Sequence, residues 1–151
     1  MWPDGRVVAL VTEQFIPARV HVKEQAADFQ RFGERYGAQW TPTILMIDPG
    51  GVERFRIEGF LPVDEFLAQL TLGLGQIAFH ANGFKDAERH FEEVLERYPQ
   101  TDGAPEAQYW AGVSRYKASG DGNDLAAVAQ AFEKRYQHTV WAKKASVWRK
   151  S

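Results

Sequence analysis

Apolar and polar positions change period several times along the chain, and each change marks an element. From Asp4 to Gln14, Val7, Val8, Leu10 and Val11 form the apolar side of a short predicted helix, with Asp4 as N-cap. The period then falls to two. Phe15, Ile16, Ala18, Val20 and Val22 set against Arg19, His21 and Lys23 predict a strand over 15–22, with His21 on the solvent side. Glu24 to Tyr36 returns to a helical stripe of Ala27, Phe29, Phe32 and Tyr36, ended by Gly37. Ile44-Leu45-Met46-Ile47 is apolar on both parities, the pattern of a central strand buried on both faces. Asp48-Pro49-Gly50-Gly51 presets a tight turn, because proline fixes φ and glycine tolerates positive φ. Val52 to Glu58 comes back antiparallel with Val52, Phe55 and Ile57 among charges, an uneven alternation that fits an edge or a bulge.

Beyond Pro62 every period is helical. Asp64 and Glu65 suit the positive end of a helix dipole, and Phe66, Leu67, Leu70, Leu74, Ile77, Ala78 and Ala81 keep one face to Asn82-Gly83. Within that helix Gly73 and Gly75 each cost about 1 kcal/mol relative to alanine, but let a neighbouring helix approach closely. Phe84 to Tyr98 follows, with Ala87, Phe91, Val94, Leu95 and Tyr98 on one face and Pro99 as its stop. A helix from Pro105 carries Tyr109, Trp110, Val113 and Tyr116. After the Ser119–Asn123 loop comes a helix over 124–136 with Asp124 as N-cap, then a last helix from Val140 to Arg149 with Trp141, Ala145 and Trp148 on one side.

Composition narrows the class. With 44% apolar and 13% aromatic residues in 151, the chain can bury a core. A formal net charge of −2 argues against a nucleic-acid binder held by phosphate contacts. The cations Lys143, Lys144, Arg149 and Lys150 read as a solvated helix end. No apolar run approaches the roughly 20 residues of a membrane span. The opening Met-Trp-Pro-Asp-Gly-Arg has neither the basic nor the apolar region of a secretory signal, so a cytoplasmic location and no membrane partner are expected. Zero cysteines exclude disulfides, thiol nucleophiles and zinc–thiolate sites from the chain.

Two family resemblances organise these elements. Leu74-Gly75, Gly83, Ala87, Phe91 and Pro99 fall at the spacing that resembles a tetratricopeptide motif, a helix pair of about 34 residues. A weaker copy runs through Ala111-Gly112, Gly120, Val128 and Phe132, with extra residues at Asp121-Gly122-Asn123 and Val140 where the closing proline belongs. Residues 140–149 would then be the cap that ends such an array. The geometry of that repeat implies a peptide groove lined by Gln76, His80, Tyr109, Val113 and Tyr116.

The N-terminal half resembles the later part of a thioredoxin-like domain, through Trp40-Thr41-Pro42-Thr43, the apolar strand, Asp48-Pro49-Gly50-Gly51 and Glu58-Gly59-Phe60 before the Pro62 helix. That resemblance implies a cis Thr41–Pro42 bond, with Trp40 to Thr43 as a binding loop. It also implies that Asp4–Gln14 is the remnant of the helix that follows the family's Cys-x-x-Cys, whose strand and dithiol this sequence does not contain. The expected fold is α/β plus all-α: a partial thioredoxin-like βαββα unit over residues 1–72, then about two tetratricopeptide-like hairpins with a capping helix over 62–151, the helix 62–81 being shared. Strands 15–22 and 43–47 would be neighbours across a vacancy or paired directly. An apolar strand edge of that kind predicts a homodimer.

The chemistry is sparse. His21, His80, His90 and His138 show no His-Glu-x-x-His or i, i+4 spacing, so no metal is expected, although His80 and His90 straddle one turn. Nucleotide-binding glycine motifs and a Gly-x-Ser-x-Gly elbow are absent. Glu92-Glu93 and Asp64-Glu65 diverge around their helices and make no catalytic pair. No catalytic residue and no cofactor are assigned. The expected function is a non-catalytic interaction module for a protein or peptide partner. Its alternative is a thiol–disulfide oxidoreductase whose cysteine-bearing segment precedes this chain.

Overall fold

The computed structural model describes residues 4–150, so the opening Met1-Trp2-Pro3 on which the reading of a signal segment partly rests lies outside the described residues. The chain divides into two compact units, Met1–Val63 and Asp64–Ser151.

The first unit starts with α1 (Gly5–Gln14), capped as its sequence predicts: the Asp4 carboxylate accepts from the Arg6 N–H at 2.9 Å. The strand expected over 15–22 does not form. Pro17 offers no N–H to a ladder, and Ile16 is 99% exposed, so no neighbouring strand holds this segment. The chain instead turns at His21, whose Nδ1 accepts the N–H groups of Lys23 (3.3 Å) and Glu24 (3.2 Å), while Gln25 Oε1 accepts the His21 N–H. The turn delays α2 (Ala26–Tyr36) by two residues, and Gly37, left-handed at φ 64°, ends it.

β1 (Thr43–Ile47) and β2 (Glu53–Glu58) form an antiparallel hairpin. Gly51, at φ 79°, returns its N–H to the Asp48 carbonyl at 2.9 Å, and Asp48 Oδ1 takes the Val52 N–H at 3.0 Å. Met46 faces Phe55 but Ile47 faces Glu53, so Arg54 is the extra residue of a bulge. The central position expected for β1 is not found: among the described residues the sheet has two strands, and only Met46 of β1 is buried. The buried apolar side chains of this unit are Val7, Met46 and Ile57, a small core among the described residues.

In the second unit, α3 (Val63–His80, beginning at the boundary) turns back through Asn82 at φ 61° into α4 (Phe84–Arg97). α5 (Gly103–Ser119) and α6 (Asn123–Lys134) make a second hairpin, followed by α7 (Val140–Ala145) and a 3-10 turn, Ser146–Trp148. Each hairpin is closed by a glycine sixteen residues before the side chain it admits: Gly75 receives the Phe91 ring, and Gly112 receives Val128. Asp124 is not the N-cap of α6. It lies inside the first turn and accepts from Ser119 Oγ, while Asp121 Oδ1 takes the Asn123 N–H at 2.9 Å. α6 also stops two residues early, because Tyr136 turns left-handed (φ 64°) and its hydroxyl donates to the Pro99 carbonyl at 2.7 Å.

Candidate functional site

The loop Trp40-Thr41-Pro42-Thr43 is held from two sides. Thr43 Oγ1 donates to the Trp40 carbonyl at 2.6 Å, and the Gly59 N–H donates to the Pro42 carbonyl at 2.9 Å. The Thr41–Pro42 bond is cis, as the sequence implied. Trp40 is 69% exposed, so its indole is surface and not core.

The charges of the hairpin that follows this loop are matched among themselves. Arg56 grips the Glu53 carboxylate with Nε (2.7 Å) and Nη2 (2.8 Å), reaches Glu58 at 3.1 Å, and donates from Nη2 to the Tyr36 carbonyl at the end of α2. That bidentate pairing holds Glu53 below the usual carboxylate range and makes Arg56 harder to deprotonate. Asp48 is also held low, first by the Val52 N–H and then by Arg54, whose Nε lies 2.7 Å away. Asp48, Glu53 and Arg56 are thus each held in the charged form by a partner. None is poised to move a proton.

The groove residues of the second unit are spread between interior and surface. Gln76 is 6% exposed and part of the core, and its carbonyl meets His80 Nδ1 at 2.8 Å. Tyr109 is taken up by the chain's own C-terminal segment. Its ring lies 5.1 Å from Trp148 and 5.3 Å from Trp141, and burial pushes its phenol up. Val113 and Tyr116 are half-buried. The aromatic series continues from Tyr109 to Trp110 (5.5 Å) and on to Phe79 (5.2 Å), joining α5 to α3. Trp141 and Trp148 were legible as a stripe with a period of seven, but nothing in the sequence said that Tyr109 was their partner.

Glu106, which the sequence did not single out, is the one carboxyl among the described residues raised by burial, and Lys144 counteracts the shift. His90 is held low by burial and then by Arg89, and its Nδ1 has no hydrogen-bond partner. In a depression of about 450 Å³ beside Pro99, Asp102, Tyr136 and Trp141, the Asp102 N–H bonds Glu65 and the Tyr136 hydroxyl bonds the Pro99 carbonyl. Among the described residues no group of three or more His, Asp or Glu side chains could hold a metal ion, and no helix is long and apolar enough to cross a membrane.

Residues 1–73 match the model of a thioredoxin-like domain. The N-terminal part of the chain is therefore thioredoxin-like, in accord with the cis-proline loop and the hairpin after it. No curated protein and no solved structure matches the chain.

Proposed function

We propose that the chain is a non-catalytic interaction module, a thioredoxin-like unit joined to two tetratricopeptide-like hairpins and a cap, that associates as a homodimer. The observation that carries this reading is where apolar surface lies. Of nine large apolar side chains exposed among the described residues, seven belong to the first unit: Val8, Ile16, Val22, Trp40, Ile47, Val52 and Phe60. Apolar surface concentrated in so small a unit supports a reading in which another chain covers part of it. The equal spacing of Gly75 to Phe91 and Gly112 to Val128 supports the repeat reading of the second unit. With Tyr109 covered by α7, a peptide groove there would rest on His80, Val113 and Tyr116.

Sedimentation at micromolar concentration tests the association: a dimer of the 17.1 kDa chain is expected, and a monomer at every concentration rejects it. Insulin reduction should be inert, because the chain holds no thiol. The match of residues 1–73 supports a second reading, an oxidoreductase completed by a cysteine-bearing segment before residue 1. Translation of the genomic sequence upstream of Met1 decides it: an in-frame Cys-x-x-Cys favours the enzyme, and its absence removes that reading.

A further inference from the structure

Among the described residues the second unit leaves two large apolar side chains well exposed, Val140 (57%) and Val147 (77%). Both lie on one side of the C-terminal segment. Ala142 and Ala145 turn inward to pack with Val128 and Phe132. The helical period therefore sends Val140, Lys143, Lys144 and Val147, at i, i+3, i+4 and i+7, to the opposite face. Both lysines are exposed there, and neither is in an ion pair with a described carboxylate. Of the acids near them, Glu133 faces Arg149 at 3.6 Å, and Glu106 is raised by burial. From residue 134 to the end the sequence has six Lys and Arg and no Asp or Glu, in a chain of net charge −2. A depression of about 450 Å³ opens beside Val140, walled by Pro99, Pro105, Tyr136 and Trp141.

Resting on the interaction-module reading above, we propose that this stripe docks an acidic segment of a partner protein. The segment's carboxylates sit over Lys143 and Lys144, and an apolar side chain enters the depression beside Val140. Two cations between two valines set what fits: opposite charge in the middle and apolar contact at the ends. Asp102 lines the same depression, so the partner's carboxylates belong at the lysines and its apolar group in the hollow. An apolar helix packed on this face would bury both ammonium groups without partners, at a cost that an acidic segment removes. A lipid surface attracts the same cations, but its hold scales with inserted apolar area, and two valines seven residues apart offer little.

Amide NMR spectra of the full, isotope-labelled chain test this with two peptides: three repeats of Glu-Glu-Leu-Glu, and the same peptide with Gln in place of Glu. The Glu peptide should shift the amides of residues 140–148 and the Trp141 indole N–H, and added salt should weaken the shifts. The Gln peptide should leave them in place. Lys143→Glu combined with Lys144→Glu should lower the affinity about tenfold, and Val140→Ser about threefold. Lys85→Glu, a charge reversal on α4, should change it little. All four positions are exposed, so each variant should keep its fold by circular dichroism. Shifts that survive the double reversal, or that are absent at millimolar peptide, overturn the docking stripe. Binding to phosphatidylserine vesicles but not to the peptide, lost on the same reversal, identifies a lipid surface and overturns the acidic segment. If the peptide fails while the chain sediments as a dimer, this proposal falls and the interaction module stands through its first unit. A monomer that binds neither peptide nor vesicles overturns both.

Discussion

The ring of Phe91 in α4 lies so close to the Cα of Gly75 in α3 that a β-carbon on Gly75 would sit 2.5 Å from its Cε1. Real β-carbons do not approach that closely, so glycine is what lets the two helices meet. In an open helix glycine-to-alanine gains about 1 kcal/mol. Here overpacking of about 1–3 kcal/mol opposes it. Gly75→Ala should lower the melting temperature measured by circular dichroism. Gly112→Ala should lower it further, since its β-carbon would fall 1.9 Å from Val128 Cγ2. Gly122→Ala, with nothing within 4 Å, should cause no loss.

The Glu65 carboxylate accepts the Asp102 N–H at 3.0 and 3.1 Å, placing an anion at the start of α5 from a residue thirty-seven positions away. It satisfies a donor at the positive end of that helix. Glu65→Ala should cost about 1 kcal/mol in urea unfolding, the usual value of a lost cap. Glu65→Gln keeps an acceptor without the charge and should fall between.

Ser114 is 0% exposed, and its hydroxyl has no hydrogen-bond partner. A buried hydroxyl left unpaired costs roughly 1–3 kcal/mol by protein mutation data. Ser114→Ala should therefore leave stability unchanged or raise it by about 1 kcal/mol, read from the urea midpoint. A clear loss would show that the hydroxyl is bonded in solution.

Burial raises the Glu106 carboxyl above its ordinary 4.5, with Lys144 working against the shift. The folded state thus holds the proton more tightly than the unfolded one. Stability from this group is fully present below the unfolded value and is lost as pH rises through the folded value. Glu106→Gln should be more stable than the parent near pH 7, and the advantage should vanish near pH 4, when the two urea midpoints are compared.

The elements most legible in the sequence were those whose stop signals are local. Asp4 caps α1, Gly37 ends α2, and Asn82-Gly83 turns α3 into α4, because each acts through its own backbone angles or its nearest N–H groups. The segment 15–22 departs from its pattern for the opposite reason. Its alternation is real, but a strand exists only with a neighbour, and Pro17 and an exposed Ile16 leave it without one. The same limit applies to β1, whose two-sided apolar pattern foretold a central place that two strands cannot provide.

The candidate site divides along the same line. By itself the sequence determined the absence of thiols and the small residues where helices cross, since these follow from residue identity and short spacing, while the cis-proline loop was implied by the thioredoxin-like resemblance. Only tertiary structure decided that Tyr109 lies under Trp141 and Trp148, that Gln76 is interior, and that Trp40 is surface. Period alone marks the apolar face of an element. Which neighbour covers it depends on contacts between residues far apart in the chain, and those form only when the helices pack.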